Sequence, residues 1–96
     1  MTMAHLSFDG CDAVALAKEY GTPLYVVSER MIRERLRELR EDFLGRYPNT
    51  YALYASKALQ TLDVLRIVAS EGIGLDVVSG GELFAASKAG FPMDRV

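Results

Sequence analysis

Along the chain, apolar residues recur at helical spacing, then as short continuous runs, then at helical spacing again. In "DAVALAKEYG", Leu16 and Tyr20 fall four apart, Asp12 stands where a helix N-cap is needed, and Gly21 can take the left-handed position that ends a helix. "TPLYVVS" follows, opened by Pro23 and rich in β-branched and aromatic residues, and predicts a strand. Ser28 then caps a long helix reaching about Leu44, with Ile32, Leu36, Leu39 and Phe43 in one apolar stripe. The arginines and glutamates of "RERLRELRED" cover the opposite face, with Glu29–Arg33 and Arg37–Glu41 four residues apart. That arrangement predicts a solvated helix face, not a binding patch.

"RYPN" interrupts the pattern, and "TYALYASK" resumes as a strand. "TLDVLRIVASEG" predicts a helix with Leu62, Leu65 and Val68 or Ala69 inward and Gly72 at its end. "IGLDVVS" reads as a short strand, apolar on both faces apart from Asp76, and "GGELFAASKAG" as a last helix closed by Gly90 and Pro92. Strands buried on both faces and separated by helices of about ten residues predict parallel βαβ units, so the class is α/β. Two core strands cannot cover the apolar stripes of their helices, and the "TPLYVV" strand need not share their sheet. A closed α/β barrel requires eight strands and about 250 residues. "FPMDRV" stands where the turn after the last helix should feed another strand. The expectation is the opening portion of a larger α/β fold.

Composition changes this picture only by exclusion. With 96 residues the chain holds one domain at most. It is half apolar, carries five Tyr, four Phe and no Trp, and has a net charge of −2, as an ordinary globular protein does. The slightly acidic balance offers no basic footprint for nucleic acid and no polybasic patch for a membrane. No apolar run approaches membrane-spanning length, and "MTMAHLSFDG" lacks a charged segment leading into an apolar core, so the expected location is cytoplasmic. The single cysteine, Cys11, cannot form an internal disulfide, in keeping with a reducing compartment. Cys11 and the sole histidine, His5, read as bystanders, and no metal-ligand set is apparent.

Candidate chemistry centres on Lys57. In "YALYASK" the alternation of a strand puts Leu53, Ala55 and Lys57 on one face and Tyr54 and Ser56 on the other. Lys57 falls at the C-terminal end of the strand, where α/β folds build their sites. A lysine ammonium is costly to bury unless it is paired or transformed. Two readings are open: the strand simply surfaces into water there, or the site needs an amine that forms a Schiff base with a carbonyl. Ala55, small and on the same face, leaves room for a flat ring. On the next core strand Asp76 shares a face with Val78, within reach of Lys57 or merely solvated. Ser79 and Glu82 have capping-box spacing, in which Ser79 bonds the backbone of Glu82 and Glu82 reaches back. Gly80 and Gly81 open a helix N-terminus that could also accept a phosphate.

Taken together, "GTPLYV", "YASKA" and "DVVSGGEL…KAGFP" resemble, in that order, the N-terminal part of the diaminopimelate decarboxylases. That family lies in the alanine-racemase-like, fold-type III group of pyridoxal-phosphate enzymes, which also holds ornithine and arginine decarboxylases. The likeness runs from about Gly21 to Val96. It implies that residues 1–96 are the opening βα units of a pyridoxal-phosphate-binding (β/α)8 barrel, incomplete here, with a C-terminal β-domain absent. Lys57 then resembles the internal-aldimine lysine, Ala55 the small residue flanking the cofactor ring, Asp76 the acidic strand-end residue, and Glu82 an acidic residue facing the same pocket. The implied activity is decarboxylation of an amino acid, meso-diaminopimelate to L-lysine, by a homodimer that binds neither nucleic acid nor membrane. Ornithine, arginine or a carrier-linked amino acid are the alternative substrates, and racemisation an alternative reaction. A non-catalytic fragment needing a partner chain is the alternative from another class.

Overall fold

The computed structural model describes residues 4–96, so the leader-segment reading of the first residues lies partly outside it. Its elements run β1 (Ser7–Phe8), β2 (Cys11–Asp12), α1 (Ala13–Tyr20), α2 (Glu29–Leu39), β3 (Leu53–Ala55), α3 (Leu62–Ser70), β4 (Gly74–Asp76) and α4 (Gly80–Ala89). A π-helical turn (Arg40–Leu44) extends α2, and 3₁₀ turns cover Ser56–Ala58 and Met93–Arg95. The class is α/β, with two small sheets: the antiparallel pair β1–β2 and the parallel pair β3–β4.

The hairpin turns on Asp9 and Gly10, both at positive φ, the geometry a two-residue type I′ connection demands. "FDGC" carries that signal, which hydrophobic spacing alone does not reveal. Asp12 caps α1 as the spacing predicts, its carboxylate accepting from the Val14 N–H at 3.0 Å. Gly21 ends the helix at φ 84°. The hairpin tip is tied to the start of α2, because the Asp9 carboxylate accepts from the Ser28 hydroxyl and the Arg30 guanidinium.

The parallel pair is the centre of the molecule. Leu53, Tyr54 and Ala55 pair with Gly74, Leu75 and Asp76, with α3 as the crossover between the strands. Ser28, Thr61 and Ser79 cap α2, α3 and α4, each accepting the N–H three residues on. Leu65, Val64 and Val68 of α3 pack with Ile73 and Leu75 of the second strand region, Ala86 of α4 and Phe91. Ile32, Leu36, Leu44, Ala52 and Tyr54 close around that cluster.

Four expectations are corrected. "TPLYVVS" forms no strand: residues 22–27 run without ladder hydrogen bonds, and Tyr25 is 97% exposed, because a strand needs a partner and this segment lies alongside neither two-stranded sheet. The α2 stripe divides. Ile32 and Leu36 pack inward and Leu39 is exposed; beyond it the π turn inserts an extra residue, so Leu44 reaches the core while Phe43 stays exposed against Tyr47. In α3 the inward set is Val64, Leu65, Ile67 and Val68, and Leu62 at the first turn is exposed. The core strands are covered on one face only, for Leu53 and Ala55 are exposed while Leu75 is buried.

The charged face of α2 is also not uniformly solvated. Glu29 and Arg33 pair at 3.0 Å as expected, but Arg37 turns from Glu41 to Glu71, where α3 ends. Arg33, Arg37 and Arg40 all reach the nearly buried Glu71 carboxylate, at 3.1, 3.0 and 3.2 Å. A carboxylate at a helix C-terminus opposes the helix dipole, and these guanidiniums supply the opposite charge it needs.

Candidate active site

The register of the parallel pair sets Ala55 beside Asp76, and partners in a ladder share a face. Beyond Ala55 the chain leaves the ladder and enters the 3₁₀ turn Ser56–Ala58, so Lys57 sits on a turn following the strand and not on the strand itself. The alternation nevertheless continues through it: Leu53, Ala55 and Lys57 are exposed, while Tyr54 and Ser56 point toward the core. Asp76 and Val78 open to the same side. Among the described residues, the Lys57 ammonium and the Asp76 carboxylate have no hydrogen-bond or ion-pair partner.

Beneath the lysine turn is a buried polar cluster. Ser56 is 1% exposed, and its hydroxyl donates to Glu82 Oε1 at 2.7 Å, with the Asp76 carbonyl oxygen at 3.0 Å as a second acceptor. One hydroxyl has one proton, and the charged carboxylate is the stronger acceptor. Glu82, itself 5% exposed, accepts at Oε2 from the Ser79 hydroxyl at 2.8 Å and the Val78 N–H at 3.4 Å. Ser79 Oγ in turn accepts the Glu82 N–H at 3.1 Å.

The capping box therefore forms, with one change. Glu82 reaches back to the Ser79 hydroxyl and the Val78 N–H, and spends its other oxygen on Ser56. The Ser56 hydrogen bond is the main cause that holds the Glu82 carboxyl below the usual glutamate range, followed by Ser79. Burial opposes this, and the Val78 N–H and the positive charge of Lys57 add to it. Glu82 also fills the α4 N-terminus with the chain's own negative charge, so a phosphate there would meet a like charge.

Spacing alone did not reveal the Ser56–Glu82 bond. Its signal is present, since alternation turns Ser56 inward and a buried hydroxyl in an apolar strand requires a partner. His5 bonds Asp12 at 2.9 Å and Cys11 lies exposed in β2, and neither joins this cluster. No helix among the described residues is long and apolar enough to cross a membrane.

Residues 29–96 match the model of the pyridoxal-dependent decarboxylases, over their pyridoxal-binding domain. The chain belongs to that family. Over 92 residues it is 51% identical to the diaminopimelate decarboxylase of Methanothermobacter thermautotrophicus and 45% identical to that of Bacillus subtilis. These alignments cover 96% of this chain and 22% and 21% of the relatives, so the chain spans about a fifth of their length. Its fold superposes on the crystal structure of diaminopimelate decarboxylase from M. jannaschii with a TM-score of 0.83 at 40% identity, over 93% of this chain and 21% of the other. A second structure of that enzyme, in complex with L-lysine, gives a TM-score of 0.81 at 41% identity over 90% and 21% of the two chains.

The side chains present fit the aldehyde cofactor of this family. An exposed amine that no carboxylate pairs is free to condense with an aldehyde, and the nearest buried acid, Glu82, is occupied by hydroxyls. Ala55 and the bare strand face beside it leave space for a planar ring.

Proposed function

We propose that this chain supplies the opening βα units and the reactive lysine of a pyridoxal-phosphate-dependent decarboxylase that converts meso-diaminopimelate to L-lysine and CO2. The observation that carries the reading is Lys57: an exposed, unpaired amine on a turn at the strand end, on one face with Ala55 and Asp76, in a chain whose relatives bear that enzyme's name. The same reading makes residues 1–96 the start of an alanine-racemase-like (β/α)8 barrel, followed by a C-terminal β-domain and working as a cytoplasmic homodimer.

Bound at this site, pyridoxal phosphate supplies an electron sink for the pair left when a substrate carboxylate departs as CO2. Lys57 Nζ would be the amine that holds this cofactor, and as a free amine it could carry a proton within the site. Ala55 keeps the ring's side of the strand open. The Asp76 carboxylate, on the same face as Ala55, would be available to accept a hydrogen bond from a bound ligand's N–H or O–H. In balance, one carbon–carbon bond breaks, CO2 leaves, and a proton from solvent takes its place.

The test uses the full-length polypeptide reconstituted with pyridoxal phosphate. Borohydride reduction followed by peptide mass mapping should find the cofactor's mass on Lys57, and Lys57→Ala should lose both the label and CO2 release. Among meso-diaminopimelate, ornithine and arginine, only the first should yield CO2. A label on another residue would overturn the assignment of Lys57, and CO2 from ornithine or arginine alone would overturn the substrate.

A further inference from the structure

We infer that Ser56 and Glu82 together position the Lys57 amine, by tying its turn to the N-terminus of α4 through a buried hydrogen bond. The inference rests on the reading of Lys57 as the amine that takes the cofactor. It assigns Glu82 a task different from touching that cofactor.

A three-residue 3₁₀ turn has one turn of backbone hydrogen bonding and poor geometry of its own. Its position must come from what grips it. Two grips are present, one on each side of Lys57. Before it, the Ser56 hydroxyl, 1% exposed, donates 2.7 Å to Glu82 Oε1. After it, the Leu59 carbonyl accepts the Tyr54 hydroxyl at 2.8 Å. The backbone flanking Lys57 is thus pinned from both ends, which leaves the lysine side chain as the free element.

The acid end of the first grip is itself immobilised. Glu82 Oε2 is taken by the Ser79 hydroxyl and the Val78 N–H, so the carboxylate that holds the lysine turn is also the one that closes the α4 cap. A buried carboxylate with both oxygens engaged in this way is held in one orientation by the chain. The Asp76 carbonyl oxygen lies 3.0 Å from the same hydroxyl, so the second strand end packs against the turn. Lysine turn and helix cap are therefore tied together through one carboxylate. Reactive groups need placement to about half an ångström, and small misplacements cost large factors in rate.

The experiment measures how fast the cofactor-free, full-length enzyme takes up added pyridoxal phosphate, followed by visible absorbance well below the melting temperature. Borohydride mapping of the wild type is run alongside. Ser56→Ala should condense roughly tenfold more slowly or worse while remaining folded. Glu82→Ala should fall as far. Glu82→Gln, which keeps an acceptor oxygen for Ser56 without the charge, should lie between wild type and Glu82→Ala. The double variant Ser56→Ala/Glu82→Ala should be no slower than the worse single change, because both remove the shared Ser56–Glu82 bond.

A folded Ser56→Ala protein with wild-type uptake would overturn the inference. So would Glu82→Gln falling as low as Glu82→Ala, since the charge and not the bond would then matter. If Ser56→Ala does not fold, the comparison of Glu82→Gln with wild type and Glu82→Ala decides alone. The label's position reports separately on Lys57, so failure of the grip and failure of the functional reading are distinguishable.

Discussion

Gly74 is the tightest point of the parallel pair. A Cβ there would lie 2.6 Å from Leu53 Cδ2, 2.8 Å from the Tyr51 hydroxyl and 2.9 Å from the Arg95 carbonyl oxygen. The first two belong to side chains that can swing, but the third is backbone. Gly74→Ala should therefore destabilise the protein by about 1–3 kcal/mol, the usual cost of overfilling a packed site. Denaturant melts of the full-length polypeptide check this, and an unchanged midpoint would show that the Arg95 segment yields. From "IGLDVVS" the strand was legible, but the crowding was not, since it comes from residues twenty positions to either side. That Lys57, Ala55 and Asp76 open to one side was legible, because strand alternation acts locally. Ser56 was legible only as an inward-facing hydroxyl whose partner had to come from elsewhere.

At the scale of elements, the charge pattern of α2 needed the fold to be read correctly. Helical spacing offered Arg37 the neighbour Glu41, yet the near-buried Glu71 is the stronger partner because it is shielded from water and shared with Arg33 and Arg40. The Arg37 hydrogen bond is the largest cause that holds the Glu71 carboxyl below the ordinary glutamate range, with Arg33 and Arg40 adding and burial opposing. A carboxyl whose folded value is depressed contributes stability that is complete above its unfolded value and lost as pH falls through the folded one. The melting temperature of the full-length polypeptide should be level near neutral pH and fall once pH drops below the usual carboxylate range. Glu71→Gln should lower the neutral melting temperature by several degrees and flatten that acid fall. A fall of wild-type steepness in the variant would locate the acid sensitivity at other lowered carboxyls, such as Glu82 or Asp9.

For the whole molecule, dimensions decide. The radius of gyration is 16.6 Å and the extents are 57 × 33 × 18 Å, whereas a compact domain of this length has a radius near 12–13 Å. Leu53, Val78, Phe84 and Tyr25 are exposed, and β3 and β4 have one neighbour each. Unpaired strand edges and an uncovered sheet face leave much of the chain's apolar surface in water. Residues 1–96 expressed alone should show no cooperative thermal transition by circular dichroism and should bind a hydrophobic dye. A sharp two-state melt of the isolated chain would refute this.

Hydrophobic spacing and cap residues alone determined the helices, the parallel βα pair and the outward side of Lys57 near a strand end, because those depend on neighbours within a few positions. The 3₁₀ turn that carries Lys57 was not among them. Motif order alone determined the family. Tertiary structure decided what long-range partners do: that Glu82 holds Ser56 as well as its own helix cap, that Glu71 gathers three arginines, and that Gly74 leaves no room for a side chain. A buried polar group takes whichever partner packing brings within hydrogen-bond reach, and that partner lies tens of residues away along the chain.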